Sequence, residues 1–228
     1  MALRAKLLTE LVGSFVFMTV IAFSPHLGAL APLAIGLALT AMVYMGGHVS
    51  GAHYNPAVSF GLLLRRVIDF RTVLAYWITQ LVAAVLAFSF AYAIASPPLP
   101  ATGVHPGVGV SWPAAISAET VFTAALVTVV LNVAATRATA GNSFYGLAIG
   151  FTVAAGAFAV GPISGGAFNP AVGVGANIAA AFHGHVSLAD SWLYIVGPFV
   201  GAAIAAGIHS LQERAAPVAP EESESERT

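Results

Sequence analysis

Hydrophobic positions gather into six long runs, at about residues 7–23, 30–48, 72–95, 112–133, 144–162 and 190–210. Each approaches the roughly 20 residues that a helix needs to cross a bilayer. The first run follows Arg4 and Lys6 and has the look of a signal peptide. Five comparable runs come after it, so it reads as the first of six membrane helices. Two shorter apolar segments, at about 55–64 and 169–182, are left over. Ten residues of helix reach about 15 Å, about half of a 30 Å hydrocarbon core, so the first of these is too short to cross.

The polar positions support this division. All eight Lys and Arg (Arg4, Lys6, Arg65, Arg66, Arg71, Arg137, Arg214 and Arg227) fall on one side of a six-span arrangement, and the other three connections hold none. The positive-inside rule then places both termini in the cytoplasm. Composition agrees. The chain has 228 residues, 58% hydrophobic and 7% charged, where soluble domains carry about 25% charged residues. Mean hydropathy is +0.88. A net charge of −1 offers no basic surface for nucleic acid. The absence of cysteine excludes disulfides, thiolate metal sites and a cysteine nucleophile.

The runs also repeat. GAHYNPAVS at 51–59 and GGAFNPAVG at 165–173 share NPAV, and a Ser-Gly pair precedes each Asn at the same distance. Glu10 in run one has a counterpart in Glu119 in run four. Three spans and one short segment therefore occur twice, as repeats at about 5–95 and 112–210. An odd number of spans per repeat inverts one copy relative to the other, with the functional site expected at the midplane between them. Residues 1–210 form a single domain in this reading. The Pro-, Ser- and Glu-rich residues 211–228 read as a disordered cytoplasmic tail.

Asn-Pro-Ala is a helix start. Asn caps helix N-termini, and Pro at the first helical position lacks an N–H that would be unpaired there anyway. Asn55-Pro56-Ala57 and Asn169-Pro170-Ala171 should each follow a re-entrant loop and open a half-length helix. Such irregular backbone is tolerated at membrane depth only when buried in protein or lining a watery cavity. Inverted symmetry brings the two positive helix ends together at mid-membrane.

GHVSGAHYNPAVS and GPISGGAFNPAVG resemble the paired signature loops of the aquaporin (major intrinsic protein) family. The likeness extends over about residues 5–210. It implies an all-α fold of six transmembrane helices plus two re-entrant half-helices, and a passive channel rather than an enzyme. Half-helix dipoles in aquaporin-type pores exclude protons and cations. The resemblance also implies a homotetramer, no cofactor and no metal. It gives Glu10 and Glu119 the task of accepting hydrogen bonds from the re-entrant backbone, against a proton-relay reading. It makes His48 a loop-supporting residue, with a cytoplasmic pH gate as the alternative. Short loops suggest a prokaryotic plasma membrane.

By the same resemblance, a second constriction of four residues sets selectivity nearer the outside. Those positions fall on Ile35, Ala157, Gly166 and Val172. Water-selective members resemble a pattern of aromatic, His, small residue and Arg. Here Val172 stands in the arginine's place, Ala157 is small and Ile35 is not aromatic. Losing Arg removes a cationic barrier and several fixed donors. The expected pore passes water and small neutral solutes: glycerol, urea, ammonia, hydrogen peroxide or neutral metalloid acids. The alternative is a pore that favours a larger neutral solute and passes little water, since an apolar ring can dewet. His105, in the outer connection at 96–111, is a candidate substitute for the missing Arg. His183 and His185 form an H-x-H with too few neighbours for a metal site. Val58, the counterpart of Val172, reads as ordinary packing on the inner half.

Overall fold

A computed structural model describes residues 1–99, 102–184 and 187–215. Among these residues the chain is helical, with no strand. The long helices are α1 (Leu3–Phe23), α2 (Ala31–Ser50), α4 (Phe70–Ile94), α5 (Trp112–Val130), α6 (Tyr145–Ser164) and α8 (Leu193–Ala215). The short ones are α3 (Pro56–Leu64) and α7 (Pro170–His183). Residues Leu3–Ser50 form one apolar helical stretch of 48 residues, which would extend about 72 Å if straight. The 3₁₀ segment Ser24–Leu30 interrupts it, with Gly28 at φ 52° and ψ −125°. The stretch therefore makes two crossings, giving six in all. The 14 residues of α7 reach only about 21 Å, so both short helices fall short of a span.

Local sequence explains where the elements start and stop. Asp69 caps α4, accepting from the Thr72 N–H at 3.0 Å and the Thr72 hydroxyl at 2.6 Å. These bonds hold its carboxyl below the usual carboxylate range. α2 and α6 both end on a glycine at φ 90°, Gly51 and Gly165, a left-handed stop that a side chain would strain. α5 runs into a π-helical turn at Leu131–Ala135 and a 3₁₀ turn at Arg137–Thr139. α8 continues to Ala215, so helix extends past the expected boundary at residue 210. The remainder of the expected tail lies outside the described residues.

Packing follows the repeat. α1 lies against α4 in the first half, as α5 lies against α8 in the second. α2 and α6 cross each other, and each half-helix packs on the last helix of the opposite half: α3 on α8, α7 on α4. Small residues make the crossing close. A Cβ on Gly36 would lie 2.6 Å from the Gly150 carbonyl oxygen, and one on Gly150 would overlap Thr40 and the Gly36 carbonyl. With lipid as apolar as the helices themselves, such backbone approach supplies dispersion contact that hydrophobic burial cannot. Leu8, Leu37, Ile78, Leu86 and Phe182 point away from the protein interior, while Glu10 and Glu119 are fully buried.

Candidate functional site

The two loops that precede α3 and α7 are built alike. Glu10 accepts from the Ser50 hydroxyl at 2.7 Å, the backbone N–H groups of His53 and Tyr54 at 2.9 and 2.8 Å, and the Gln80 amide at 2.8 Å. Glu119 accepts from the Ser164 hydroxyl at 2.7 Å and from the N–H groups of Ala167 and Phe168 at 3.0 and 2.7 Å. Each carboxylate thus satisfies loop donors that have no helix to bond to. The Tyr76 hydroxyl donates to the Ser50 carbonyl at 2.7 Å and the Tyr194 hydroxyl to the Ser164 carbonyl at 2.6 Å. Left-handed backbone at Ala52, Tyr54, Gly166 and Phe168 alternates the direction of successive peptide groups.

At the loop tips the two halves are tied together. Asn55 Oδ1 accepts from the Ala57 N–H at 2.8 Å, and Asn169 Oδ1 from the Ala171 N–H at 2.9 Å. Asn55 Nδ2 donates to the Phe168 carbonyl at 2.8 Å, and Asn169 Nδ2 to the Tyr54 carbonyl at 2.9 Å. An amide nitrogen carries two protons. One serves the tie, which leaves one per Asn for another partner. Among the described residues, the carbonyls of Gly51, Ala52 and His53, and of Gly165, Gly166 and Ala167, accept no hydrogen bond.

Two cavities flank this junction, and Phe17, Val153 and Ala167 line both. The larger, about 630 Å³, opens at the end away from the arginines. Ile35, Ala157, Gly166, Val172 and His105 all line it. The smaller, about 20 Å³, lies toward the arginine-bearing end, between Asn55, Asn169, Val58, Leu126, Val130 and Ile149. That is room for about one water. Together they trace a path that narrows toward the two Asn residues.

Some sequence expectations need revision. His48 is exposed on α2, and among the described residues its side chain makes no hydrogen bond to the loop. It sits before the chain turns in at Gly51, whereas His53 lies beyond that turn and is buried. His53 Nδ1 is 2.8 Å from Ser59 Oγ, and Gln80 Nε2 lies 3.4 Å from the same oxygen. Sequence reasoning missed His53, Ser59, Gln80 and Tyr76; their only signal was polarity inside apolar surroundings. Val58 is not merely packing, because it lines the narrow cavity opposite Val172's place on the wide one. The Tyr194 hydroxyl anchors the second loop at the Ser164 carbonyl. His105 Nδ1 lies 3.7 Å from Asp190 Oδ2. The His183 ring lies tilted against Tyr92, with centroids 5.5 Å apart, and its partner His185 lies outside the described residues.

Known proteins share this architecture. The chain is similar to the solved aquaglyceroporin from Plasmodium falciparum, with a TM-score of 0.79 and 22% identity over 91% of this chain and 96% of that one. It is 38% identical to "Aquaporin TIP2-3" from Zea mays, over 76% of this chain and 67% of that protein. It is 35% identical to "Glycerol uptake facilitator protein-like 6" from Lactiplantibacillus plantarum, over 88% of this chain and 94% of that protein. The family model described as major intrinsic protein matches residues 2–209. With the paired Asn-Pro-Ala loops, buried glutamates and inverted halves already in place, the chain belongs to the major intrinsic protein family.

Proposed function

We propose that the chain is a passive pore for water and small neutral solutes, with a wide and apolar outer selectivity region. The carrying observation is the wide cavity of about 630 Å³, whose lining residues Ile35, Ala157, Gly166 and Val172 bring neither a side-chain donor nor a cation. Beyond them, free carbonyls of the two loops accept hydrogen bonds, and the spare amide protons of Asn55 and Asn169 donate. A passing hydroxyl or water exchanges its solvent partners for these. The half-helix ends oppose cations at the junction, so exclusion of protons rests there. His105 lines the wide mouth with Ser24, Tyr92 and Thr102, where its ring can meet solutes.

The arginine-bearing end faces the cytoplasm with both termini in this reading. A homotetramer in a prokaryotic plasma membrane is the assembly it assigns. The chain carries out no catalysis. The glycerol facilitator named above keeps a second reading in view, a pore mainly for a larger neutral solute with low water flux. The apolar outer residues Ile35, Ala157 and Val172 favour it, since an apolar ring can dewet.

Proteoliposome flux measurements test passivity. Solute uptake should rise linearly with gradient and be indifferent to ionophores. Saturation at low concentration, or dependence on a proton or sodium gradient, would instead indicate coupled transport.

A further inference from the structure

We propose that Asn177 is a positioning residue for solute selection. It holds the outer segment 102–105 against the second re-entrant loop, so that this segment forms a hydrogen-bond-accepting wall of the wide mouth. Nothing in the pore chemistry above uses Asn177.

Asn177 is fully buried on α7, between the apolar residues Ala176 and Ile178. A buried amide is costly unless both its ends are paired. Its Oδ1 accepts from the Val104 N–H at 2.6 Å, and its Nδ2 donates to Ser191 Oγ at 3.1 Å. A backbone N–H can only donate, which fixes the orientation of the amide. One side chain thus fastens two separate outer connections. The partner segment is shaped for this contact. Gly103 has φ 69°, and a Cβ there would lie 2.3 Å from Asn177 Oδ1 and 3.3 Å from the Asn177 Cα. Glycine alone combines that backbone angle with so close an approach.

The tie presses the segment onto the second loop. A Cβ on Gly165 would lie 2.7 Å from Val104 Cγ1 and 3.1 Å from the His105 carbonyl oxygen. Gly166, one of the expected constriction residues, comes next in the chain. Further along, the Gly107 N–H donates at 2.9 Å to the Ile163 carbonyl in the last turn of α6. Thr102, Gly103, Val104 and His105 all line the wide cavity. Among the described residues their carbonyls accept no hydrogen bond.

This placement has a chemical consequence. Ile35, Ala157, Gly166 and Val172 offer an entering solute no side-chain partner. A solute rich in donors gives up water there, and the held carbonyls replace it. Polyols and urea carry several donors each, so the wall favours that class. Water gains little from it, because its passage is limited at the narrow cavity of about 20 Å³, which Asn177 does not line.

This inference rests on the pore reading proposed above. Stopped-flow glycerol, urea and water permeabilities of proteoliposomes test it for wild type, Asn177→Ala, Asn177→Asp and Gly103→Ala. Asn177→Ala should cut glycerol and urea about threefold or more relative to water, as one unreplaced hydrogen bond would. Asp keeps one oxygen for the Val104 N–H and another for the Ser191 hydroxyl, so Asn177→Asp should restore the wild-type ratio. Gly103→Ala should reproduce the loss from the other side of the contact. The double variant Asn177→Ala with Gly103→Ala should be no worse than either alone, since both break one contact. Simple loss of folded channel lowers all three permeabilities together and leaves the ratio unchanged. An unchanged or raised ratio in Asn177→Ala, no rescue by Asn177→Asp, or additive losses would overturn the proposal. If Asn177→Ala does not assemble, Gly103→Ala and hydrogen exchange of the wild type decide. The Val104 amide should exchange about tenfold or more slowly than that of the exposed Val108, and equal rates would overturn the tie. A wild type that passes neither glycerol nor urea overturns the pore reading itself, and this inference with it.

Discussion

The side-chain amide of Asn55 donates a 2.8 Å hydrogen bond to the carbonyl of Phe168, the residue just ahead of Asn169. The reciprocal bond runs from Asn169 to Tyr54 at 2.9 Å. Each Asn therefore caps its own helix with its oxygen and fastens the opposite loop with its nitrogen. The two half-helix ends meet because they are bonded together, and the lumen passes beside that joint.

Asn55→Ala should lose both jobs. The missing cap costs about 1 kcal/mol, and the missing tie costs about 1 kcal/mol more. Thermal unfolding in detergent should show a lower midpoint. Asn169→Ala should match it closely, since its bonds are equivalent. A midpoint unchanged in either variant would mean the tie is absent in the membrane protein.

The buried carboxylates should be intolerant of even an isosteric change. Glu10 accepts four hydrogen bonds and Glu119 three. A Gln at either site turns an NH₂ toward groups that are themselves donors, at a cost of about 3 kcal/mol or more. Glu10→Gln should yield less folded protein than Glu119→Gln, because Gln80 adds a donor on that side. Normal yield with normal water flux would count against the scaffold role.

Gly150→Val should separate α2 from α6. Its Cβ meets Thr40 and the Gly36 carbonyl, and backbone there has no flexible end to move aside. Size-exclusion and thermal stability should report loss of a folded species, whereas the unobstructed Gly207 should accept Ala without effect.

Val58→Leu and Val172→Leu make the same substitution on two very different cavities. The first adds a methylene where about one water fits; the second adds it to about 630 Å³. Water permeability should fall to near background in Val58→Leu and change little in Val172→Leu.

Much of this architecture was legible in the sequence. The six spans, the two short helices and the inversion followed from run length, charge placement and the paired Asn-Pro-Ala segments. All four expected constriction residues line one cavity, because counting along a straight helix from a fixed landmark preserves its facing. What escaped was lateral. Nothing in the sequence says that Gln80 on α4 reaches Glu10 on α1, or that Asn177 on α7 meets Val104 and Ser191. These contacts depend on helix rotation and crossing, which apolar runs do not encode when every face is apolar. Nor does the sequence say that His53 is the histidine beside the loop: the left-handed turn at Gly51 decides that His53 lies inside and His48 outside. The role of Val58 stayed hidden because packing and lumen lining look the same in an apolar sequence.

The most direct test of the pore account is the ratio of glycerol and urea permeability to water permeability in proteoliposomes, with a proton-leak control, for wild type and Val172→Arg. The account predicts that wild type passes all three without proton leak. It predicts that Val172→Arg cuts glycerol and urea about tenfold or more while water persists, as a fixed guanidinium narrows the path. A wild type that passes water but neither larger solute, or a Val172→Arg variant with unchanged solute range, would contradict it.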